Sequence, residues 1–144
     1  MIVENHKEEV PFAHYEEKFR ALDPAEAAER TGAKWDGKEF YIDKLGFTLE
    51  KEFYRPASND YLRMLRLGET VIELFIRPDA PARVNNPEAM GLRHLAFRVD
   101  DIEPVVAWLN ENGIEIEPVR EDSYNGGRFT FFKDPDGLPL ELHE

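Results

Sequence analysis

The chain has 144 residues, of which 42% are hydrophobic, and a formal net charge of −12. This length suits one domain or two small halves around one core, and the hydrophobic fraction is too high for a disordered chain. The negative charge disfavours nucleic acid as a partner, the lack of cysteine excludes disulfides and thiol catalysis, and no apolar run approaches the roughly 20 residues that span a bilayer.

The first ten residues, MIVENHKEEV, contain three acids and no apolar stretch of the kind that a signal peptide needs. We therefore expect a cytoplasmic protein with no membrane partner, and the lack of cysteine permits this location. An anionic substrate would need local arginines on so acidic a chain. The candidates are Arg66, Arg93, Arg98 and Arg128.

Residues 1–37 differ from the remainder of the chain and predict an atypical helical segment. Tyr15, Phe19 and Leu22 recur at helical spacing, and Asp23-Pro24 has the form of an N-cap followed by Pro at the first helical position. These residues therefore predict helices ahead of the strands that follow.

From residue 38 onward, alternation of apolar and polar residues dominates and predicts strands. A helix is expected after a cap at Asp100 or Asp101, ending before Gly113 with Trp108 on its buried side. A turn is expected over residues 134–137. The predicted strands span residues 61–67, 70–76, 92–99, 114–119, 128–133 and 138–143, and the helix spans residues 102–112.

The chain contains an internal repeat. In each copy a helix ends at a glycine, strands and a glycine-bearing hairpin follow, and the copy closes on an apolar residue, Glu and Leu. The spacing is 27 residues from Gly46 to Glu73 and 28 residues from Gly113 to Glu141. Repeats of this kind indicate two similar modules packed by pseudo-symmetry.

Three polar side chains are expected in the middle of strands, on the face opposite the helix: Glu73, His94 and Glu141. A carboxylate between Val71 and Phe75 is costly to bury unless a cation compensates it. One imidazole and two carboxylates suit zinc, manganese, nickel or iron. The alternative is an ordinary solvated sheet face. The two glutamates at equivalent positions of the repeat favour a metal site. His94 alone would be interpreted as structural, and it becomes a candidate ligand only because of these glutamates.

Four segments resemble the vicinal oxygen chelate superfamily, and within it the small bacterial glyoxalase-like proteins related to lactoylglutathione lyase: KEFYIDKLGF, VIELFIRP, GLRHLAFRVDDIE and RFTFFKDPDGLPLELHE. The resemblance covers roughly residues 38–144. It implies an α+β fold of two βαβββ modules, at about residues 38–78 and 91–144, that form an open, cupped sheet around a metal. The first strand of the first module is expected to be atypical or replaced by the helical N-terminal segment.

By motif, the resemblance carries the first-module Glu onto Glu73, the second-module His onto His94 and the second-module Glu onto Glu141. It implies a divalent metal (zinc, nickel, manganese or cobalt, with iron less favoured) and makes Glu141 the proton-transfer base, with a possible share for Glu73. Superfamily dioxygenases generally use two histidines and one carboxylate on iron. Only one histidine lies at a motif position here.

One expected ligand is missing. The first-module His position falls on Ala27 beside Glu26, in a segment that predicts helix. A water or a vacancy is the first candidate for this position, His14 the second and Glu26 the last, and His6 is a further histidine that could reach it. A partner chain is a further source of a ligand, and loss of metal binding is the remaining possibility.

The resemblance implies a metal-dependent lyase or isomerase that acts on a small α-ketoaldehyde–thiol adduct through an enediolate. The alternative is a metal-free or metal-optional protein that binds small molecules, for resistance or sequestration. Exposed sheet edges and apolar module faces favour a homodimer.

Overall fold

The computed structural model describes residues 38–144, which form an α+β fold of two sheets and two helical segments. The predicted fold class is thus confirmed, whereas His6, His14, Glu26 and the helices expected before residue 38 lie outside the described residues. No helix in the described part is long and apolar enough to cross a membrane. In chain order the elements are α1 (Lys38–Lys44), β1 (Thr48–Arg55), β2 (Asp60–Leu67), β3 (Thr70–Ile76), β4 (Leu95–Arg98), α2 (Ile102–Glu111), β5 (Arg120–Glu121), β6 (Arg128–Lys133) and β7 (Pro139–His143).

The first sheet has the antiparallel order β1-β2-β3. Strand β3 has the predicted bounds, and β2 begins one residue before its predicted start. Burial alternates along β2 and distinguishes the two faces of the first sheet. Tyr61 and Leu65 are buried, while Met64 is only half-buried. Met64 pairs with Glu73 in register, so Glu73 lies on the face away from the buried side chains.

The second sheet has the order β4-β7-β6-β5, in which β4 runs parallel to β7. Helix α2 follows β4 directly and begins at Asp101, whose side chain accepts a hydrogen bond from the backbone N–H of Glu103 at 3.1 Å. Trp108 was expected on the buried side of the helix, but it is 51% exposed. Its indole instead reaches sideways and donates a 2.8 Å hydrogen bond to the carbonyl of Lys44.

Two predicted strands differ from expectation by more than one residue. Residues 114–119 contribute only an isolated bridge at Ile116, and β5 is confined to Arg120–Glu121. Pro118 explains the break, because it has no N–H to give to a ladder. Strand β4 begins at Leu95 instead of residue 92, so His94 precedes the strand.

A buried hydrogen bond joins α1 to the turn between β6 and β7. The Tyr41 hydroxyl donates to Asp134 at 2.8 Å, and the other oxygen of Asp134 accepts from the N–H groups of Asp136 and Leu138. Burial, and then the charge of Asp134, raise the pKa of Tyr41, which therefore stays a neutral donor. The carboxylate shapes the turn and anchors the helix at the same time.

Tyr41→Phe should lower the free energy of unfolding by about 1 kcal/mol, because it removes one buried hydrogen bond and keeps the ring. Urea unfolding followed by circular dichroism measures the change. Tyr124→Phe is the matched control, since Tyr124 is 97% exposed. Equal stability of the Tyr41 variant and the wild type would contradict this anchoring role.

The first sheet holds a bidentate ion pair at its β1–β2 turn. Arg55 donates to the two carboxylate oxygens of Asp60 at 2.6 and 2.5 Å, and Asp60 is fully buried. These hydrogen bonds from Arg55 hold the pKa of Asp60 below its usual value. The folded protein therefore binds this proton less readily than the unfolded chain does. The resulting stability is present above about pH 4 and is lost as the pH falls through the folded pKa.

Asp60→Asn should lower stability at neutral pH and flatten the loss of stability on acidification, because the variant has no carboxylate to protonate there. The measurement is the unfolding free energy in urea at a series of pH values from about 6 to 2. Asp79→Asn, at an exposed carboxylate beside Arg77, is the control. An acid dependence equal to that of the wild type would show that Asp60 is not the group responsible.

Candidate functional site

The pairing of β4 with β7 brings polar side chains of the second module onto one face. Ala96 stands opposite Glu141 and Arg98 opposite His143, while Leu95 and Phe97 pack against the core. Successive side chains of a strand point to opposite faces. The face away from α2 therefore carries Ala96, Arg98, Glu141 and His143. We call this face, with His94 at its edge, the cup face.

His94 and Glu141 are in direct contact on the cup face. The Nε2 of His94 lies 3.0 Å from a carboxylate oxygen of Glu141, with the side chains 43% and 15% exposed, respectively. The ring of Phe131 meets the His94 ring edge-on, at 5.5 Å between centroids. The imidazole is thus held between a carboxylate and an aromatic wall while one side stays open to solvent.

Hydrogen bonds from a loop position the segment before His94. The Arg83 guanidinium donates to the carbonyls of Leu92 and Arg93 at 2.6 and 2.9 Å. Asn85, which accepts from Arg83, donates in turn to the carbonyl of Gly137 at 2.9 Å. Within the described residues, these bonds hold the backbone of a segment that has no partner in the sheet.

A cleft of about 850 Å³ opens beside His94. Phe131 and Lys133 of β6 line it on the same side as His94. Arg120 borders this aromatic wall, with its guanidinium 5.0 Å from the centre of the Phe129 ring and 5.9 Å from that of Phe131. The volume suits a small organic molecule.

The donor atoms of His94 and Glu141 suit two neighbouring positions around one metal ion. Ligand atoms about 2.1 Å from a common ion and at right angles to each other lie about 3 Å apart. The observed separation is 3.0 Å between an imidazole nitrogen and a carboxylate oxygen. This pair therefore fits part of a divalent metal site.

The structure does not bring Glu73 into a cluster with this pair. Within residues 38–144, no three His, Asp or Glu side chains form a group that could hold a metal ion. Glu73 belongs to the first sheet and is exposed, so its expected burial between Val71 and Phe75 is wrong. Its charge is a lesser cause, after the Asp60 hydrogen bond, of the raised pKa of Arg55. A ligand role for Glu73 stays a prediction.

Sequence reasoning missed Arg83 and did not single out Phe131, which forms the aromatic wall beside His94. Alternation along β6 signals Phe131, which shares the parity of Phe129 and pairs with Glu141 in register. Arg83 carries no comparable signal, because it lies in a proline-rich loop without periodicity. Only its contacts with distant backbone carbonyls show that it supports the site.

Proteins of similar sequence and a solved structure of similar fold match this chain. YaeR of Escherichia coli (strain K12), itself uncharacterised, is 56% identical over 108 residues, which are 74% of this chain and 84% of YaeR. A glyoxalase family protein of Enterococcus faecalis has a crystal structure that matches with a TM-score of 0.75 at 54% identity, covering 78% of this chain and 89% of that one. The metallothiol transferase FosB of Staphylococcus epidermidis (strain ATCC 12228 / FDA PCI 1200) is 32% identical over 81 residues, 55% of each protein.

A family model covers nearly all of the described region. The model of the Glyoxalase/Bleomycin resistance protein/Dioxygenase superfamily matches residues 36–142, most of the chain. The matched region contains the β4–β7 pairing and the contact between His94 and Glu141. The chain therefore belongs to the Glyoxalase/Bleomycin resistance protein/Dioxygenase superfamily.

Proposed function

We propose that this protein is a metal-dependent, glyoxalase-like lyase or isomerase whose substrate is a small α-ketoaldehyde–thiol adduct. The observation that carries the proposal is the 3.0 Å contact between His94 and Glu141 on an open cup face. A general base must lie within hydrogen-bonding reach of its proton, and Glu141 is held at the floor of this face with part of its carboxylate exposed.

Glu141 is the proposed proton-transfer base. Its carboxylate takes a proton from one substrate carbon and returns it to the neighbouring carbon, by way of an enediolate. Strand pairing on both sides, with Ala96 of β4 and Phe131 of β6, fixes the backbone that carries Glu141. A central strand keeps the carboxylate of such a base in a fixed orientation, and proton transfer requires that orientation in every turnover.

His94 and Glu141 are the proposed metal ligands, with Glu73 and His14 as further ligands. The metal would be zinc, nickel, manganese or cobalt. When bound, such a metal supplies Lewis-acid stabilisation of the negative charge that develops on the substrate oxygens. The relative FosB carries a metal and a thiol in its name, which supports this class of chemistry for the superfamily.

We place the protein in the cytoplasm as a homodimer with small molecules as its partners. Apolar side chains that stay exposed in the described residues, Leu67 and Phe75 among them, favour a dimer. A dimer would also offer Glu73 of the first sheet a second cup face to reach. The division into residues 1–37 and a domain of residues 38–144 is part of the same proposal.

The second candidate function is metal-free or metal-optional binding of a small molecule, for resistance or sequestration. The assembly of only two donors, His94 and Glu141, among residues 38–144 favours it. A cleft of about 850 Å³ is large enough for a ligand without any reaction. Turnover and metal content separate the two candidates.

Glu141→Gln should retain the fold and reduce turnover of the methylglyoxal–glutathione adduct by at least about 100-fold, because the amide cannot accept the proton. The assay is the absorbance of the thioester product under saturating metal. Glu111→Gln, at an exposed position of α2, is the control that should keep full activity. Full activity of the Glu141 variant would remove this residue from the role of base.

Elemental analysis after gentle purification should find one equivalent of divalent metal per chain in the wild type and much less in His94→Ala. The reason is that loss of the imidazole removes one of two adjacent donor atoms. His143→Ala is the matched control on the same sheet and should keep the metal. No bound metal in the wild type, with no activation by nickel, zinc or manganese, would support the binding candidate instead.

A further inference from the structure

The hydrogen-bond ladder between β4 and β7 cannot continue past Pro139. The N–H of Val99 donates to the carbonyl of His143 at 2.9 Å, which sets the phase of this parallel pairing. The bonds of such a ladder repeat along each strand, so the series followed backward brings the carbonyl of Arg93 opposite the nitrogen of Pro139. Proline has no N–H to donate, and the ladder therefore leaves the residue before His94 without this bond.

Arg83 supplies a donor to the carbonyl that the ladder leaves without one. Its Nη2 donates to the carbonyl of Arg93 at 2.9 Å and to that of Leu92 at 2.6 Å. Adjacent carbonyls of a regular strand point in opposite directions, so one nitrogen reaches both only where the chain bends. The guanidinium thus holds a bent segment immediately before His94.

The same guanidinium is tied to the strand that carries Glu141. The Nε of Arg83 donates to Oδ1 of Asn85 at 2.9 Å, and Nδ2 of Asn85 donates to the carbonyl of Gly137 at 2.9 Å. Gly137 lies in the turn that leads into β7. These side chains therefore connect the backbone before His94 with the backbone that leads to Glu141. We call this connection, made by Arg83 and Asn85, the Arg83–Asn85 bridge.

The loop that carries the bridge also borders the cleft beside His94. Glu88 forms an ion pair with the side chain of Arg93, and Asn85 and Glu88 form an isolated β-bridge within the loop. Glu88, Arg93 and His94 line the cleft together with Pro139. The bridge thus lies at the wall of the candidate site, next to the imidazole.

We propose that Arg83 and Asn85 are positioning residues of the His94–Glu141 pair. Arg83 replaces the ladder hydrogen bond that Pro139 cannot make, and Asn85 ties it to the opposite strand. The inference rests on the proposed function in that His94 and Glu141 are taken as metal ligands. Metal–ligand distances vary by only about 0.2 Å, so two donors 3.0 Å apart tolerate little relative displacement of their backbones.

The first test uses the full chain without metal and follows the imidazole nitrogens of His94 by long-range proton–nitrogen NMR at one fixed pH. Arg83→Gln should move these resonances toward their positions in Glu141→Gln, because both variants weaken the contact between the imidazole and the carboxylate. Arg77→Gln removes an equal charge at an exposed arginine and should leave them unchanged.

The second test titrates the metal-stripped full chain with Co²⁺, whose visible absorption reports the geometry of its ligands. Arg83→Gln should alter the absorption bands and weaken binding roughly tenfold, as expected when a group that orients a metal-ligating histidine is lost. Asn85→Ala should weaken binding less, because the bonds from Arg83 to the two carbonyls remain. Arg77→Gln is again the control.

Two rescue variants separate positioning from damage to the fold. Arg83→Lys keeps a donor for the carbonyls and should recover part of the affinity for Co²⁺. Pro139→Ala, added to Arg83→Gln, places an N–H opposite the carbonyl of Arg93 and should improve binding by about threefold, the effect of one hydrogen bond. Wild-type resonances and Co²⁺ affinity in Arg83→Gln, or no recovery in either rescue variant, would overturn the proposal.

The outcome is distinguishable from that of the proposed function. If the wild type binds no Co²⁺ but Arg83→Gln still displaces the His94 resonances, the positioning role is retained and the metalloenzyme proposal fails. If the wild type binds Co²⁺ through His94 and Arg83→Gln binds it equally well, the metalloenzyme proposal is retained and the positioning role fails.

Discussion

The parallel pairing of β4 with β7 is the constraint on which the site depends. It sets Ala96 beside Glu141 and Arg98 beside His143, so a histidine just before β4 meets a carboxylate near the end of the chain. A slip of one residue would turn these side chains to the other face and bring Leu140 and Leu142 out of the core. Burial of the leucines therefore holds the polar groups in place.

The alternation of apolar and polar residues in the sequence predicted those strands in which buried and exposed side chains alternate. The bounds of β3 and β6 follow directly from runs of β-branched and aromatic residues, and the cap at Asp101 follows from its side-chain chemistry. The late start of β4 and the break near Pro118 were missed. Arg83 holds the segment before β4, and its hydrogen bonds join distant parts of the chain and leave no periodic trace in the sequence.

The candidate site was predictable in part for the same reason. Alternation and motif together led to His94 and Glu141, and the contact between them is present. Within residues 38–144, Glu73 lies on the first sheet and forms no cluster with His94 and Glu141, and the periodicity of a single strand does not encode how the two sheets are placed. The motif equivalence of Glu73 and Glu141 therefore predicts a role for Glu73 without specifying which chain's site it enters.

Membership of the superfamily leaves the reaction open, because function resides in the site and not in the fold. An imidazole–carboxylate pair with one open side is the feature of this chain that bears on the reaction.

Anomalous diffraction from crystals of the full chain grown with manganese or zinc tests the central claim most directly. The account predicts a metal peak bonded both to Nε2 of His94 and to the carboxylate of Glu141. A peak at another group, for example between His143 and Asp122, or a fully loaded crystal without density at the His94–Glu141 pair, would contradict it.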